Sequence, residues 1–337
     1  MDLGDIYEAR RRIAGWVRRT PLERSAFLSE LCGGEVWLKL ENLQVTGSFK
    51  IRGALNKLLQ LMDEERRRGV VAASSGNHAQ GVGYAARELG VDATIVVPQN
   101  TPRVKLEAIR RYGVELIVHG EEYMDAERLA RRMEREGERT FISAYNDLDI
   151  IAGQGTIALE MVEERPGLDI VLVPVGGGGL ISGVASVFKA ASEGTEVIGV
   201  QSVASPVMYE SLRRGRIVEM ELGESMAEGL HGGIEEGSIT FDLCRSLVDD
   251  IVLVQEEAIG KAIRELLTRQ RQVVEGAGAV GAAAIMEDPQ RFRGLEVGVV
   301  VSGGNLDAEL LRGIVCGDYG MHNPGPTSRP PMGPDDP

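Results

Sequence analysis

Thiols and imidazoles are scarce in this chain, and the scarcity excludes whole classes of function. Among 337 residues there are three cysteines and four histidines. Cys32, Cys244 and Cys316 are odd in number and far apart, which leaves no disulfide framework and no spacing for a zinc site. The histidines other than His78, namely His119, His231 and His322, are scattered, so no metal ligand set and no triad is expected. Positive charge is also short: 37 Lys and Arg stand against 51 Asp and Glu, a formal charge of -14. A nucleic-acid face or an anionic membrane partner needs the opposite sign. No apolar run is long enough to span a bilayer, and Met1–Arg19 is too charged for a signal peptide. A reducing cytoplasm is the expected compartment.

What is present is an ordinary soluble composition, 43% hydrophobic and 26% charged, with 43 glycines, well above average usage. The length allows two α/β units. An amphipathic helix over Asp5–Arg18 and a strand over Glu35–Lys39 come first. Strands are then expected at Val70–Ala73, Ala93–Val97, Glu115–Val118 and Thr140–Ser143, alternating with helices over Ala79–Leu89, Val104–Arg111 and Glu122–Glu136. A second set places strands at Ile170–Val175, Glu196–Ser202, Asp250–Val254 and Glu296–Val301. Its helices fall at Gly153–Val162, Leu180–Ala191, Glu256–Arg269 and Gly278–Met286, and Leu222–Ser238 reads as irregular. Such alternation implies parallel sheets with right-handed crossovers, hence two doubly wound three-layer αβα domains. The boundary falls near Ala144–Ile150. Residues 1–60 are assigned with 147–318 to a larger unit, 61–146 form a smaller one, and the proline-rich 319–337 is expected to be disordered.

The chemistry-bearing stretches follow strands, where open parallel sheets bind ligands. In Glu41–Leu59 (ENLQVTGSFKIRGALNKLL), apolar residues recur at helical spacing from Phe49, so Lys50 falls in a first helical turn. The positive end of the helix dipole lowers an amine's pKa there, and a neutral amine attacks carbonyls to form a Schiff base. Gly176–Gly179, followed by Leu180, bares four backbone amides at a helix start, a seat for a phosphate. The run fits neither the dinucleotide GxGxxG frame, which meets Ile181 or Ser182 in place of the third glycine, nor a P-loop. Ser74-Ser75-Gly76-Asn77-His78 can hold a carboxylate or can be a capped turn, with His78 as scaffold. Ser302-Gly303-Gly304-Asn305 closes the strand VGVVV with a hydroxyl able to meet a ring nitrogen.

Taken together, SFKIRGA, SSGNHAQG from Ser74, AGQGT from Ala152, GGGGL from Gly176 and SGGN from Ser302 resemble the fold-type II (tryptophan-synthase-β-like) pyridoxal-phosphate enzymes. Within these the chain is most similar to the threonine/serine dehydratase and serine racemase family, with the five motifs in family order over roughly residues 5–315. The resemblance implies that pyridoxal 5'-phosphate is the cofactor. Lys50 would hold it and then act as the base on the substrate Cα proton. Phe49 would pack on the pyridine ring, Asn77 would meet the ring hydroxyl, and Gly176, Gly177, Gly178, Gly179 and Leu180 would bind the phosphate. Ser302 would face the pyridine nitrogen. Ser74, Ser75, Gly76 and His78 would hold the substrate carboxylate. A neutral serine at the nitrogen makes a milder electron sink, which favours β-elimination over transamination.

The reaction implied is loss of water from L-threonine or L-serine, giving a 2-oxo acid and ammonia. The cofactor phosphate is the expected acid for the departing hydroxide. Two positions depart from the dehydratase pattern. Ser75 stands where dehydratases often carry alanine and racemases serine, so it is a second candidate catalytic residue, delivering a proton from the face opposite Lys50. Gln201 stands where cation-binding members offer a carboxylate, so no divalent metal is assigned, although backbone carbonyls there could hold one. Serine racemase, a dehydratase of another 3-hydroxy amino acid, and a non-catalytic cofactor- or dinucleotide-binding protein are the alternatives. A homodimer or homotetramer is expected by analogy. No regulatory domain is expected after Ile314.

Overall fold

Two parallel sheets carry the architecture of the computed structural model, which describes residues 1–192 and 194–317. The strands are β1 (Leu22–Arg24), β2 (Glu35–Leu40), β3 (Val70–Ala73), β4 (Ala93–Val97), β5 (Glu115–Val118), β6 (Thr140–Phe141), β7 (Ile170–Pro174), β8 (Glu196–Ser202), β9 (Asp250–Val254) and β10 (Glu296–Val301). The larger sheet runs β1-β2-β10-β7-β8-β9 and the smaller β5-β4-β3-β6. Every pairing is parallel except β1 with β2. The tail expected to be disordered lies outside the described residues.

Parallel strands are covered on both faces, which is why these segments read as unbroken apolar runs. Alternate residues feed two separate cores. On β7 and β10, Leu172, Val297, Val299 and Val301 enter one cluster, whereas Val171, Val173 and Val300 enter the opposite one. On β3 and β4, Val70, Ala72, Ile95 and Val97 share a core, and Val71, Ala73 and Val96 face the other side. Each unit is therefore a three-layer αβα sandwich, as the alternation implied.

Several boundaries differ from the sequence expectation for local reasons. The first helix spans Leu3–Ile13 and ends early, because Gly15 turns the chain at φ 84°. Strand β1 is only three residues long and lies between loops, below the length at which periodicity registers. Helix Asp63–Arg68 buries none of its residues. It is favoured instead by acids in its first turn and bases in its last, which suit the helix dipole. Helices Ala26–Cys32, Val207–Arg214, Ile239–Leu247 and Ala308–Cys316 are also short and have no counterpart in the sequence expectation.

Helix Lys50–Leu58 is the seam between the units. Ile51, Ala54, Leu55 and Leu58 pack with the small-sheet core. On another side, helix Leu148–Glu164 crosses it backbone to backbone: a Cβ on Gly153 would lie 2.6 Å from the Arg52 carbonyl oxygen and from Gly53 Cα. A Cβ on Gly183 would likewise lie 2.6 Å from Gly155 N. The glycines of AGQGT are thus contact points between helices. Behind the same helix sits a buried charge quartet. Arg52 donates to Glu41 at 2.7 and 2.8 Å and to Glu160 at 2.7 Å, while Lys39 donates to Glu160 at 2.5 Å and to the Thr20 carbonyl at 2.7 Å. Burial works against the charge on Glu41, but Arg52 outweighs it and holds the carboxyl below its ordinary range. Two cations and two anions, tied to β2 and to helix Leu148–Glu164, fix the helix that presents Lys50.

Candidate active site

The C-terminal ends of β2, β3, β7 and β10 converge, and each delivers one of the chemistry-bearing loops. The stretch ahead of Lys50 is sewn to the loop after β10: Ser48 bridges Gly303, Phe49 N donates to the Ser302 carbonyl at 3.1 Å, and Gly304 N donates to the Gly47 carbonyl at 2.9 Å. Helix Asn77–Leu89 lies against the Lys50 turn, since a Cβ on Gly81 would meet Lys50 C at 3.1 Å. The structure therefore brings the segments that carry Phe49, Lys50, Asn77 and Ser302 together at one place.

Lys50 is the first residue of its helix, and its Nζ donates to the Ala144 carbonyl at 2.8 Å while lying 5.2 Å from the Phe49 ring centroid. Its pKa is lowered to about 8, by burial first, with Glu275 opposing. His78 is pushed down to about 3 by burial, with the nearby Lys50 charge adding to the effect. Its Nε2 lies 2.9 Å from the Ile142 carbonyl, so the side chain is a neutral donor to the backbone that pins the loop after β3. Gly76 N donates to Ser74 Oγ at 3.2 Å. A Cβ on Gly76 would meet no atom within 4 Å, so the loop faces open space there. Ser75 is half-buried, and its hydroxyl has no hydrogen-bond partner among the described residues.

The glycine run after β7 is a tight cradle. Gly178 adopts φ 89°, and helix Gly179–Ala191 begins directly after it. Ser182 N is bonded to the Gly178 carbonyl, which leaves the amides ahead of it without helical partners. Below the run, a Cβ on Gly177 would run into the Tyr145 ring, and one on Gly179 would come within 2.9 Å of Tyr145 Cα. Thr240 Oγ1 donates to the Gly177 carbonyl at 2.6 Å, and the Tyr145 hydroxyl accepts from Glu235 N at 2.9 Å.

Three residues at the site escape the sequence reading, Ala144, Tyr145 and Glu275, and a fourth, Asn305, lies in the SGGN motif without a role assigned there. The Asn77 amide donates to Glu275 at 2.6 Å and accepts from Asn305 at 2.7 Å. Burial raises Glu275 to about 7. Two ion pairs also join the helices after β4 and β5 to the stretch 228–235, Lys105 with Glu228, and Arg131 with Glu235 at 3.0 Å. At Gln201, Nε2 donates to the carbonyls of Val175 (3.1 Å) and Ser205 (3.4 Å), and Oε1 accepts from Tyr209 N (2.8 Å). Among the described residues no group of three or more His, Cys, Asp or Glu side chains gathers as a metal would require.

A partly desolvated amine, a cradle of free helix-start amides and a Ser302 hydroxyl with no hydrogen-bond partner among the described residues suit a lysine that binds carbonyls beside a phosphate seat. The residues fit pyridoxal phosphate: amine for aldehyde, cradle for phosphate, Ser302 for the ring nitrogen. A family model described as pyridoxal-phosphate dependent enzyme matches residues 13–303. The L-threonine ammonia-lyase of Thermotoga maritima is 47% identical over 313 residues, 93% of this chain and 78% of that protein. Among solved structures, a threonine deaminase from T.th. superposes with a TM-score of 0.85 at 42% identity, covering 91% of this chain and 99% of that one. Maize serine racemase gives a TM-score of 0.88 at 34% identity, covering 94% and 97%. The chain belongs to the pyridoxal-phosphate dependent enzyme family, and pyridoxal phosphate is its cofactor.

Proposed function

We propose that the protein is a threonine/serine ammonia-lyase that removes water from a 3-hydroxy amino acid, releasing a 2-oxo acid and ammonia. The observation that carries this is the Lys50 amine, lowered to about 8 where the loops after β3, β7 and β10 meet. The relatives named above, two of which are called threonine ammonia-lyase and threonine deaminase, support the substrate class. Bound pyridoxal phosphate supplies an electron sink for charge at the substrate Cα. The cradle Gly176–Gly179 with Leu180 seats the phosphate, Phe49 packs against the ring, Asn77 donates to the ring oxygen and Ser302 faces the ring nitrogen. Ser74, Ser75, Gly76 and the His78 backbone receive the substrate carboxylate at the start of helix Asn77–Leu89, where unpaired amides favour an anion. Lys50, neutral in a substantial fraction near its pKa, takes the Cα proton.

Residues 1–60 with 147–318 form the cofactor-binding unit in this reading and 61–146 the carboxylate-binding unit, with helix Lys50–Leu58 as their seam. The chain works in the cytoplasm as a homodimer or homotetramer, without nucleic-acid or membrane partners. No helix of the described residues is long and apolar enough to cross a membrane. The test is an assay of L-threonine, L-serine and other 3-hydroxy amino acids for 2-oxo acid and for the D-enantiomer. Lys50→Ala should abolish turnover, and borohydride should fix the cofactor on Lys50 in the wild type. Full turnover by Lys50→Ala, or a colourless purified protein, would refute the reading. Racemisation is the second reading, favoured by the unpartnered Ser75 hydroxyl and by the likeness to maize serine racemase.

A further inference from the structure

The orientation of Asn77 is settled by a relay that starts at a backbone carbonyl. Asn305 Nδ2 donates to the Thr46 carbonyl at 2.9 Å and to Asn77 Oδ1 at 2.7 Å. A carbonyl oxygen can only accept, so the Asn305 atom facing Thr46 is nitrogen. Its second hydrogen then requires an oxygen on Asn77. The Asn77 nitrogen is thereby turned toward Glu275, 2.6 Å away, and spends one of its two hydrogens there. The other remains free for the cofactor.

Among the described residues the Glu275 carboxyl has no hydrogen-bond partner besides Asn77. It stands at the start of helix Gly276–Glu287, yet its side chain makes no capping bond there. Its backbone is held instead, with N donating to the Gly303 carbonyl at 3.1 Å beside Ser302. The carboxyl presses on that loop, since a Cβ on Gly303 would collide with Oε1. Lys50, Lys105 and Glu228 are the charged groups that act on it. Either charge state suits the contact, because one oxygen accepts from Asn77 while the other can carry a proton.

We propose that Glu275 is a positioning residue, which holds the Asn77 amide so that its second Nδ2 hydrogen is presented to the ring oxygen of pyridoxal phosphate. The inference rests on the assignment of Asn77 to that oxygen made above. The experiment compares wild-type holoenzyme with Asn77→Ala, Glu275→Ala, Glu275→Gln and the Asn77→Ala/Glu275→Ala double variant. The readouts are the absorbance spectrum of the bound cofactor and the dissociation constant for pyridoxal phosphate added to cofactor-depleted protein. Each single alanine variant should weaken binding by about tenfold, the loss of one good hydrogen bond, and should shift absorbance from the yellow band toward the near ultraviolet. The double variant should bind no more weakly than Asn77→Ala alone, since Glu275 acts through Asn77. Glu275→Gln, which keeps an acceptor oxygen in place, should restore both readouts, and it remains decisive if the alanine variant folds poorly. Additive losses, a wild-type spectrum for Glu275→Ala, or a glutamine variant as impaired as alanine would overturn the proposal. A wild-type spectrum and affinity for Asn77→Ala would instead remove the Asn77 assignment beneath it, and the proposal would fall with it.

Discussion

Removing the Lys50 amine should change folding stability by an amount that depends on pH. A lysine whose pKa falls from 10.5 unfolded to about 8 folded opposes folding wherever the unfolded chain binds the extra proton. Below pH 8 both states are protonated and the full cost applies; it fades as pH rises from about 8 toward the unfolded value. The shift corresponds to about 3 kcal/mol, and screening at the cleft, where Lys50 keeps some exposure, reduces this to about 2 kcal/mol. Lys50→Met keeps the apolar stem, removes the cost and forfeits the hydrogen bond to Ala144, worth about 1 kcal/mol. In cofactor-depleted protein, denaturant titration at pH 7 should therefore show Lys50→Met more stable than wild type by about 1 kcal/mol. The advantage should vanish and reverse by about pH 10. A stability difference that stays constant between these two pH values would refute the placement of a depressed amine at Lys50.

Gly177→Ala should drive a methyl group into the Tyr145 ring, costing about 1–3 kcal/mol by denaturation and weakening pyridoxal phosphate binding in an equilibrium titration. Arg52→Met should leave Glu41 and Glu160 without their guanidinium and cost about 3–5 kcal/mol. Because the quartet is buried, that loss should be nearly the same in low and high salt, whereas a surface pair would respond. Ser75→Ala should reduce formation of D-serine more than formation of the 2-oxo acid; unchanged D-serine would show that the opposite-face proton comes from another group.

The sheets were legible because parallel strands are apolar throughout. β3, β4, β5, β8, β9 and β10 fall on the segments the apolar runs mark. The loops at their ends were legible because glycine runs and capping residues have few other uses. Glu275 was not, since an acid ahead of a Gly- and Ala-rich helix looks like a dipole partner in solvent, and only the fold buries it against Asn77. Tyr145 and Ala144 sit where the chain passes between the sheets, a stretch without periodicity. The fall in the Lys50 pKa is legible from its place in a first helical turn, whereas the desolvation behind it depends on what packs around the amine.

The charge quartet behind helix Lys50–Leu58 has a thermal consequence. Hydration of ions grows less favourable on heating, so bringing these four groups together becomes relatively easier as temperature rises, whereas aliphatic contacts gain little. The attachment of the lysine-bearing helix should therefore be among the last features to loosen before the molecule melts. Warming would first free the partly exposed pairs Lys105–Glu228 and Arg131–Glu235 and only later disturb the register of the amine.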